Sequence, residues 1–302
     1  MLFRSAANHP NGGRLKLLRC RELPSGWLGK LHALHSGCKE TSKPLILLTD
    51  ADVIFEPGSL RRAVSAQQIL DCDHLVVAPH METRGFWEPT LVALFLVLFA
   101  VRFQPSRVHK SRKSYVGVGA FNLITRSTLE ECAHLEPLRL QVTDDVHLGR
   151  LVKSLGRTQY CLVAENEIRV RWFEGLRGCV LGLEKNAYAG LNYSLAFSLL
   201  VIAAVAVPAL LPLALCWLGY SGWAAAYLGF LVLLGLAIPQ AFELPKWVGF
   251  FFPAASLVLA FTFARSVWLA ERRGGIVWRD THYPLAELRQ QHSWFLKEAA
   301  PL

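Results

Sequence analysis

The chain has 302 residues, 53% of them hydrophobic and only 18% charged, with a formal net charge of +9. A soluble globular protein carries roughly 25% charged residues, so this composition excludes wholesale disorder and puts part of the chain in an apolar solvent. The deficit of charge is local: no Asp, Glu, Lys or Arg stands between Lys185 and Glu243, nor between Lys246 and Arg265, and such runs belong in lipid.

Residues 1–190 hold 25 of the 32 basic and 18 of the 23 acidic residues, so a basic, water-facing part precedes a membrane part. Its basic residues are dispersed, and no helix-turn-helix, finger or aromatic RNA-binding signature accompanies them, which argues against a nucleic-acid partner. They fit anionic lipid headgroups, the positive-inside rule or an anionic substrate. Seven cysteines without a CxxC pair or zinc spacing predict neither a disulfide framework nor a zinc site, and point to a reducing compartment. Residues 1–10 lack the apolar core of a signal peptide.

In chain order, residues 24–40 read as a Gly-bounded helix, on which His32 and His35 are ordinary helix histidines. Gly26-Trp27-Leu28-Gly29-Lys30 resembles part of a phosphate loop, but Pro24 and Leu31 break the Walker pattern. Lys30 at a helix start still suits a phosphate contact. The run LILLT at 45–49 predicts a buried strand that delivers Asp50 and Asp52 at its C-terminal end. Residues 59–70 carry helical spacing and 74–79 form a second apolar run. Strand, helix, strand predicts one parallel crossover unit over 45–79, with ligands beyond the strand C-termini. Asp71-Cys72-Asp73, a second DxD between helix and strand, reads as a solvated turn.

Residues 89–101 are an uncharged run between Glu88 and Arg102. As a helix this run reaches only about 20 Å, short of the roughly 30 Å hydrocarbon core. It is expected to lie in the membrane interface, a buried core helix being the alternative. Beyond residue 190 three spans are expected, at 195–216, 223–241 and 247–269. Three crossings would put the tail on the side opposite the basic part, so either one segment is re-entrant or the tail is external.

Paired carboxylates at a strand end suit Mg²⁺ or Mn²⁺ bound with a substrate phosphate, although a DxD alone is common by chance. Thr143-Asp144-Asp145 opens a helix. It reads either as an N-cap with dipole-favoured acids or as a carboxylate placed to act as a general base. Gly117 to Asn122 is a small-residue loop, Gly119 included, that allows close backbone approach to a substrate or makes an ordinary turn. Arg169, Arg171 and Trp172 are either interfacial anchors or contacts to a diphosphate and an acceptor.

Taken in order, PSGWLGKLHALHSG at 24–37, LLTDADVIFEPGSL at 47–60, VGVGAFNLI at 116–124, TDDVHLG at 143–149, RVRW at 169–172 and GGIVWRDTHYPL at 274–285 resemble membrane-bound family 2 glycosyltransferases. Similar arrangements occur in ceramide glucosyltransferase and in bacterial hopanoid- and carotenoid-associated glycosyltransferases. The resemblance implies an α/β, GT-A (Rossmann-like) domain over 1–190 with an interfacial helix near 86–103, transmembrane helices over 191–271, and a tail over 272–302. It implies a multi-pass protein of the cell (inner, cytoplasmic) membrane with its catalytic domain cytoplasmic. The implied reaction is inverting transfer of a sugar, by default from a UDP-sugar, to a hydroxyl of a lipid acceptor.

Asp50 and Asp52 then match the family DxD, Asp52 as metal ligand and Asp50 as both metal ligand and donor contact. Asp145 matches the catalytic base, while Lys30, Asp144, Gly119, Arg171 and Trp172 bind substrate; the cofactor is Mg²⁺ or Mn²⁺. The chain departs from the family in three places. Its first strands, with their nucleobase aspartate, are not found before Arg14; Ile168 replaces the first polar residue of the QxxRW motif; and Asp280 and His282 stand in the tail motif. The rival expectation is a catalytically silent scaffold or a truncated fragment. A transport subunit fits badly, because the apolar runs carry no charge.

Overall fold

A computed structural model describes residues 15–164, 167–241, 244–278 and 281–299. The elements begin with α1 (Gly29–Lys39), β1 (Leu45–Leu48), β2 (Ile54–Phe55), α2 (Ser59–Leu70), β3 (His74–Ala78), β4 (His80–Met81), α3 (Trp87–Phe103) and β5 (Asn122–Thr125). Then come α4 (Arg126–Glu131), α5 (Asp144–Ser154), β6 (Gln159–Val163), β7 (Ile168–Val170), α6 (Gly175–Gly190), α7 (Leu195–Trp217), α8 (Ser221–Ala241) and α9 (Phe252–Arg273). A hairpin of β8 (Gly275–Trp278) and β9 (Thr281–Pro284) leads into α10 (Leu285–Glu298).

The main sheet has the order β1-β5-β3-β6. β3 and β6 pair parallel, but β5 runs antiparallel between β1 and β3. The parallel crossover expected over 45–79 is therefore corrected: its two strands point the same way and are not neighbours. The excursion after β3 leaves the sheet at its C-terminal edge and re-enters at that edge, since Asn122 pairs with both Val76 and Leu48. A strand entering there has to run antiparallel. The same path lays residues 117–121 beside the end of β1, where the Asp50 N–H donates to the Gly119 carbonyl (2.9 Å). A second sheet, β2-β7-β4, is braced by Arg169, which ion-pairs with Glu56 and Glu82.

Two further expectations change. Asp73 is not part of a merely solvated turn: its carboxylate accepts from the Thr158 N–H and hydroxyl (2.8 Å each) and from the Thr128 hydroxyl (3.3 Å), tying β3 to α4 and β6. Thr143 occupies the N-cap position of α5 but its side chain makes no cap bond; its hydroxyl pairs with His147 Nδ1 (2.9 Å).

The principal core joins α1, α5 and the tail. Leu28, Leu31, Leu129 and Leu148 share one buried cluster with Ile276, Tyr283, Leu288 and Phe295. Polar contacts fix the same join: Arg150 Nε donates to the Ala299 carbonyl (2.9 Å) and His292 Nδ1 pairs with Gln141 (2.9 Å).

Among the described residues, three helical segments are long and apolar enough to cross a membrane: 87–107, 195–217 and 246–273. The expected spans at 195–216 and 247–269 coincide with two of them. The expected span at 223–241 falls on α8, whose last residues lie outside those whose side chains are described. α7 and α9 pack antiparallel. The start of α7 lies beside the end of α9, where the Tyr188 hydroxyl donates to Glu271 and the Tyr193 ring is 5.7 Å from that of Tyr188. Further along, Val205 shares a cluster with Ala255 and Leu259. Large apolar side chains such as Leu200, Leu213, Trp217, Trp223 and Phe261 stay exposed, more apolar surface than a water-soluble monomer presents.

Close backbone packing sets loop 116–119 on α5. A Cβ at Gly149 would lie 1.9 Å from the Val116 carbonyl oxygen, and one at Gly117 1.7 Å from that of Asp145. Gly149→Ala is expected to lower stability by about 1–3 kcal/mol through overpacking, read as a lower thermal transition in detergent. Gly37→Ala, where a Cβ meets nothing within 4 Å, is expected to leave the transition unchanged or raised.

Candidate active site

The first turn of α1, the end of β1, loop 116–121 and the first turn of α5 meet at one cleft, floored by Leu31, Leu48 and Leu148. Lys30 sits at its centre. Its ammonium is 2.9 Å from Asp50 Oδ1 and 3.1 Å from Asp144 Oδ2. Burial alone would lower the Lys30 pKa, but the fields of Asp144, Asp50 and Asp145 outweigh it and raise the pKa. The lysine therefore stays charged and screens carboxylates that would otherwise repel one another.

Gly119 fixes the spacing of the acids. Its carbonyl takes the Asp50 N–H, and its own N–H donates to Asp145 Oδ2 (2.9 Å). A Cβ there would lie 2.4 Å from Asp50 Oδ2 and 3.7 Å from Asp145 Oδ2, so only glycine lets both carboxylates flank one peptide. The Val146 N–H holds the other Asp145 oxygen (2.8 Å). Burial, then the neighbouring Asp144, push the Asp145 pKa up to about 6, against the pull of Lys30 and of these two N–H donors. A carboxylate so placed is ionised at neutral pH and basic enough to take a proton.

Asp52 stands apart, exposed and with no hydrogen bond or ion pair to a described residue. Among the described residues no group of three or more His, Cys, Asp or Glu side chains forms a metal cage. Asp50 lines this cleft and Asp52 does not. Asp50 and the exposed Asp52, two residues on, are hard oxygen donors of the type that suits Mg²⁺ when substrate phosphates complete its shell.

Arg171 and Trp172 are not brought to the carboxylates. Arg171 Nη2 donates to Glu88 Oε1 (2.9 Å), and Glu88 also accepts from the N–H groups of Gly175 (2.6 Å) and Arg84 (2.8 Å). The Glu88 side chain is only 4% exposed, and a charge buried so deeply needs its partner. Trp172 stacks on Phe173 (4.3 Å between centroids) and meets Phe95 edge-on (4.5 Å). Neither residue makes a hydrogen bond or ion pair with Asp50, Asp144 or Asp145. Sequence reasoning passed over Glu88 as a mere boundary of the apolar run. It also passed over Lys185, on which the fields of Asp144, Asp145 and Asp50 act; its signal was its place as the last charge before the long uncharged stretch.

No curated protein matches the chain. The family model described as glycosyltransferase-like family 2 matches residues 2–174, more than half of the chain, and Lys30, Asp50, Asp52, Gly119, Asp144, Asp145, Arg171 and Trp172 all fall inside the match. The chain is a glycosyltransferase and belongs to that family.

Proposed function

We propose that this glycosyltransferase moves a sugar, with inversion, from a nucleoside diphosphate donor, by default a UDP-sugar, to a hydroxyl of a lipid acceptor at a membrane surface. The observation that carries the reading is Asp145, raised in pKa and held across Gly119 from Asp50. Asp145 takes the acceptor proton as the hydroxyl oxygen forms its bond to the anomeric carbon. The bond from that carbon to the diphosphate oxygen breaks, and its electron pair leaves with the nucleoside diphosphate. Asp50 and Asp52 would hold Mg²⁺ or Mn²⁺, which when bound offsets the charge gathering on the leaving diphosphate. Lys30 keeps Asp50 and Asp144 in place, and Trp172 lines the acceptor approach.

Membrane association rests on the apolar helices and their exposed side chains. The tail and the sheet domain share one core, which supports placing both on the same face. On this reading α7 leaves, α9 returns, and α8 begins and ends without a net change of side, which favours the alternative in which one segment does not cross. α3 is long enough to span, but both its ends are tied to the sheet domain. Glu88 binds Arg171 at one end, and at the other Phe99 packs with Val76, Val108 and Val116. It therefore lies in the interface. The excess of basic residues in 1–190 supports a cytoplasmic position for this face at a cell membrane.

Asp145→Asn is expected to slow transfer about 10²–10⁴-fold while leaving the thermal shift produced by UDP with Mn²⁺ intact. Asp52→Asn is expected to abolish that shift. Transfer by the parent should fall as pH drops through about 6, because protonation removes the base. Full activity in Asp145→Asn would remove Asp145 as the base, whereas a parent without transfer and without a thermal shift on UDP and Mn²⁺ would leave the scaffold reading standing.

In a Cys20→Ser, Cys216→Ser background, single cysteines at Trp87, Arg107 and Ser293 should react with a membrane-impermeant maleimide from one and the same side. Labelling of positions 87 and 107 from opposite sides would show that α3 spans.

A further inference from the structure

Lys185, on the last turns of α6, is a half-buried cation without an anionic partner among the described residues. Its ammonium lies 4.1 Å from the centroid of the Trp278 indole and donates to Asn186 Oδ1 (3.1 Å). The adjacent Glu184 is engaged by Arg265 and Arg273 at 3.0 Å each. Trp278 ends β8 opposite Thr281, and in the same hairpin the Tyr283 hydroxyl accepts from the Gly29 N–H (3.4 Å), one residue before Lys30. The hairpin thus touches Lys185 through Trp278 and the residue before Lys30 through Tyr283. A cleft beside Lys185, lined by Leu181, Leu269, Ile276 and Trp278, opens there.

The site has a surplus of negative charge. Asp50, Asp144 and Asp145 gather round Lys30, the exposed Asp52 stands two residues from Asp50, and a diphosphate adds more negative charge. A divalent ion offsets part of this. The arginine expected to help, Arg171, is committed to Glu88. Lys185 is the remaining ammonium within the field of the cluster. Resting on indole, it makes a cation–π contact, weaker than a charge-assisted bond to phosphate oxygens.

We propose that Lys185 is a donor-binding residue: it leaves the Trp278 ring to ion-pair the diphosphate of the nucleoside diphosphate donor, the role the sequence resemblance gave to Arg171. The proposal rests on the reading of the cleft at Asp50 as the donor site. Burial, which lowers the Lys185 pKa, makes an incoming anion a favourable partner.

The test is titration of the purified full chain in detergent with UDP and with uridine, both with Mn²⁺, for the parent, Lys185→Met, Lys185→Arg and Asp52→Asn. Lys185→Met is expected to weaken UDP about 10- to 100-fold and to leave uridine unchanged. Lys185→Arg should restore most of the loss. An apo thermal transition equal to the parent's shows that the variant is folded, and Trp278→Phe, which keeps a ring beneath the ammonium, should bind UDP like the parent. Unchanged UDP affinity in Lys185→Met, with transfer lost, would overturn the proposal and assign Lys185 to the acceptor. An equal loss of UDP and uridine would overturn it in favour of a structural role. If the parent binds no UDP and Asp52→Asn changes nothing, the donor-site reading itself fails and the inference falls with it.

Discussion

Carboxylates that share a cleft repel one another, and Lys30 is what allows Asp50, Asp144 and Asp145 to coexist. Its ammonium bridges the end of a strand to the start of a helix. The rest of the site follows from that bridge. β1 and α5 converge, loop 116–119 closes over the gap, and Gly119 becomes the only residue type that fits between Asp50 and Asp145. Asp145, to which Lys30 makes no direct bond, keeps a raised pKa because burial and then the neighbouring Asp144 outweigh the field of Lys30 and the two backbone N–H donors that hold it. One lysine thus treats the acids differently: it pins Asp50 and Asp144 directly and reaches Asp145 only through its field.

A second constraint is the burial of Glu88 at the start of α3. Once this carboxylate is withdrawn from water, Arg171 and two backbone donors have to turn toward it. That fixes an apolar helix against the segment that follows β7, and sets Trp172 on Phe95 of the same helix. Arg171, Trp172 and α3 are therefore one packed unit.

Local elements were legible where their signal is local. Residues 59–70 form a helix with those limits because apolar spacing and the Gly58 turn are contained in the segment. The run 45–48 forms a strand that stops two residues short of Asp50, and the helix opened by Asp144 and Asp145 stands where its first-turn acids place it. Pairing was not legible. The four residues Asn122–Thr125 look alike whether they pair at an edge or between two strands, and only the shared exit and entry edge decides. Arg171 reads as a substrate cation until its distant partner Glu88 is known, and Lys185 becomes conspicuous only when the hairpin brings Trp278 and Lys30 beside it. The tail, whose Tyr283 meets Gly29 across 254 residues of sequence, gave no sign that it completes the same core.

That last join has a consequence for synthesis. Leu288 and Phe295 are wholly buried among α1 and α5 side chains, and each is worth about 1.5–3 kcal/mol, a large share of a typical domain's 5–15 kcal/mol. Both emerge from the ribosome after the long apolar helices α7, α8 and α9. At about 5–20 residues per second the sheet half waits roughly 5–20 s, with its apolar floor open, while the intervening helices are made. The sheet half is therefore the first part made and the last part finished. On the proposed membrane reading its maturation is coupled to correct helix insertion, since the tail has to reach the side where the sheet half waits.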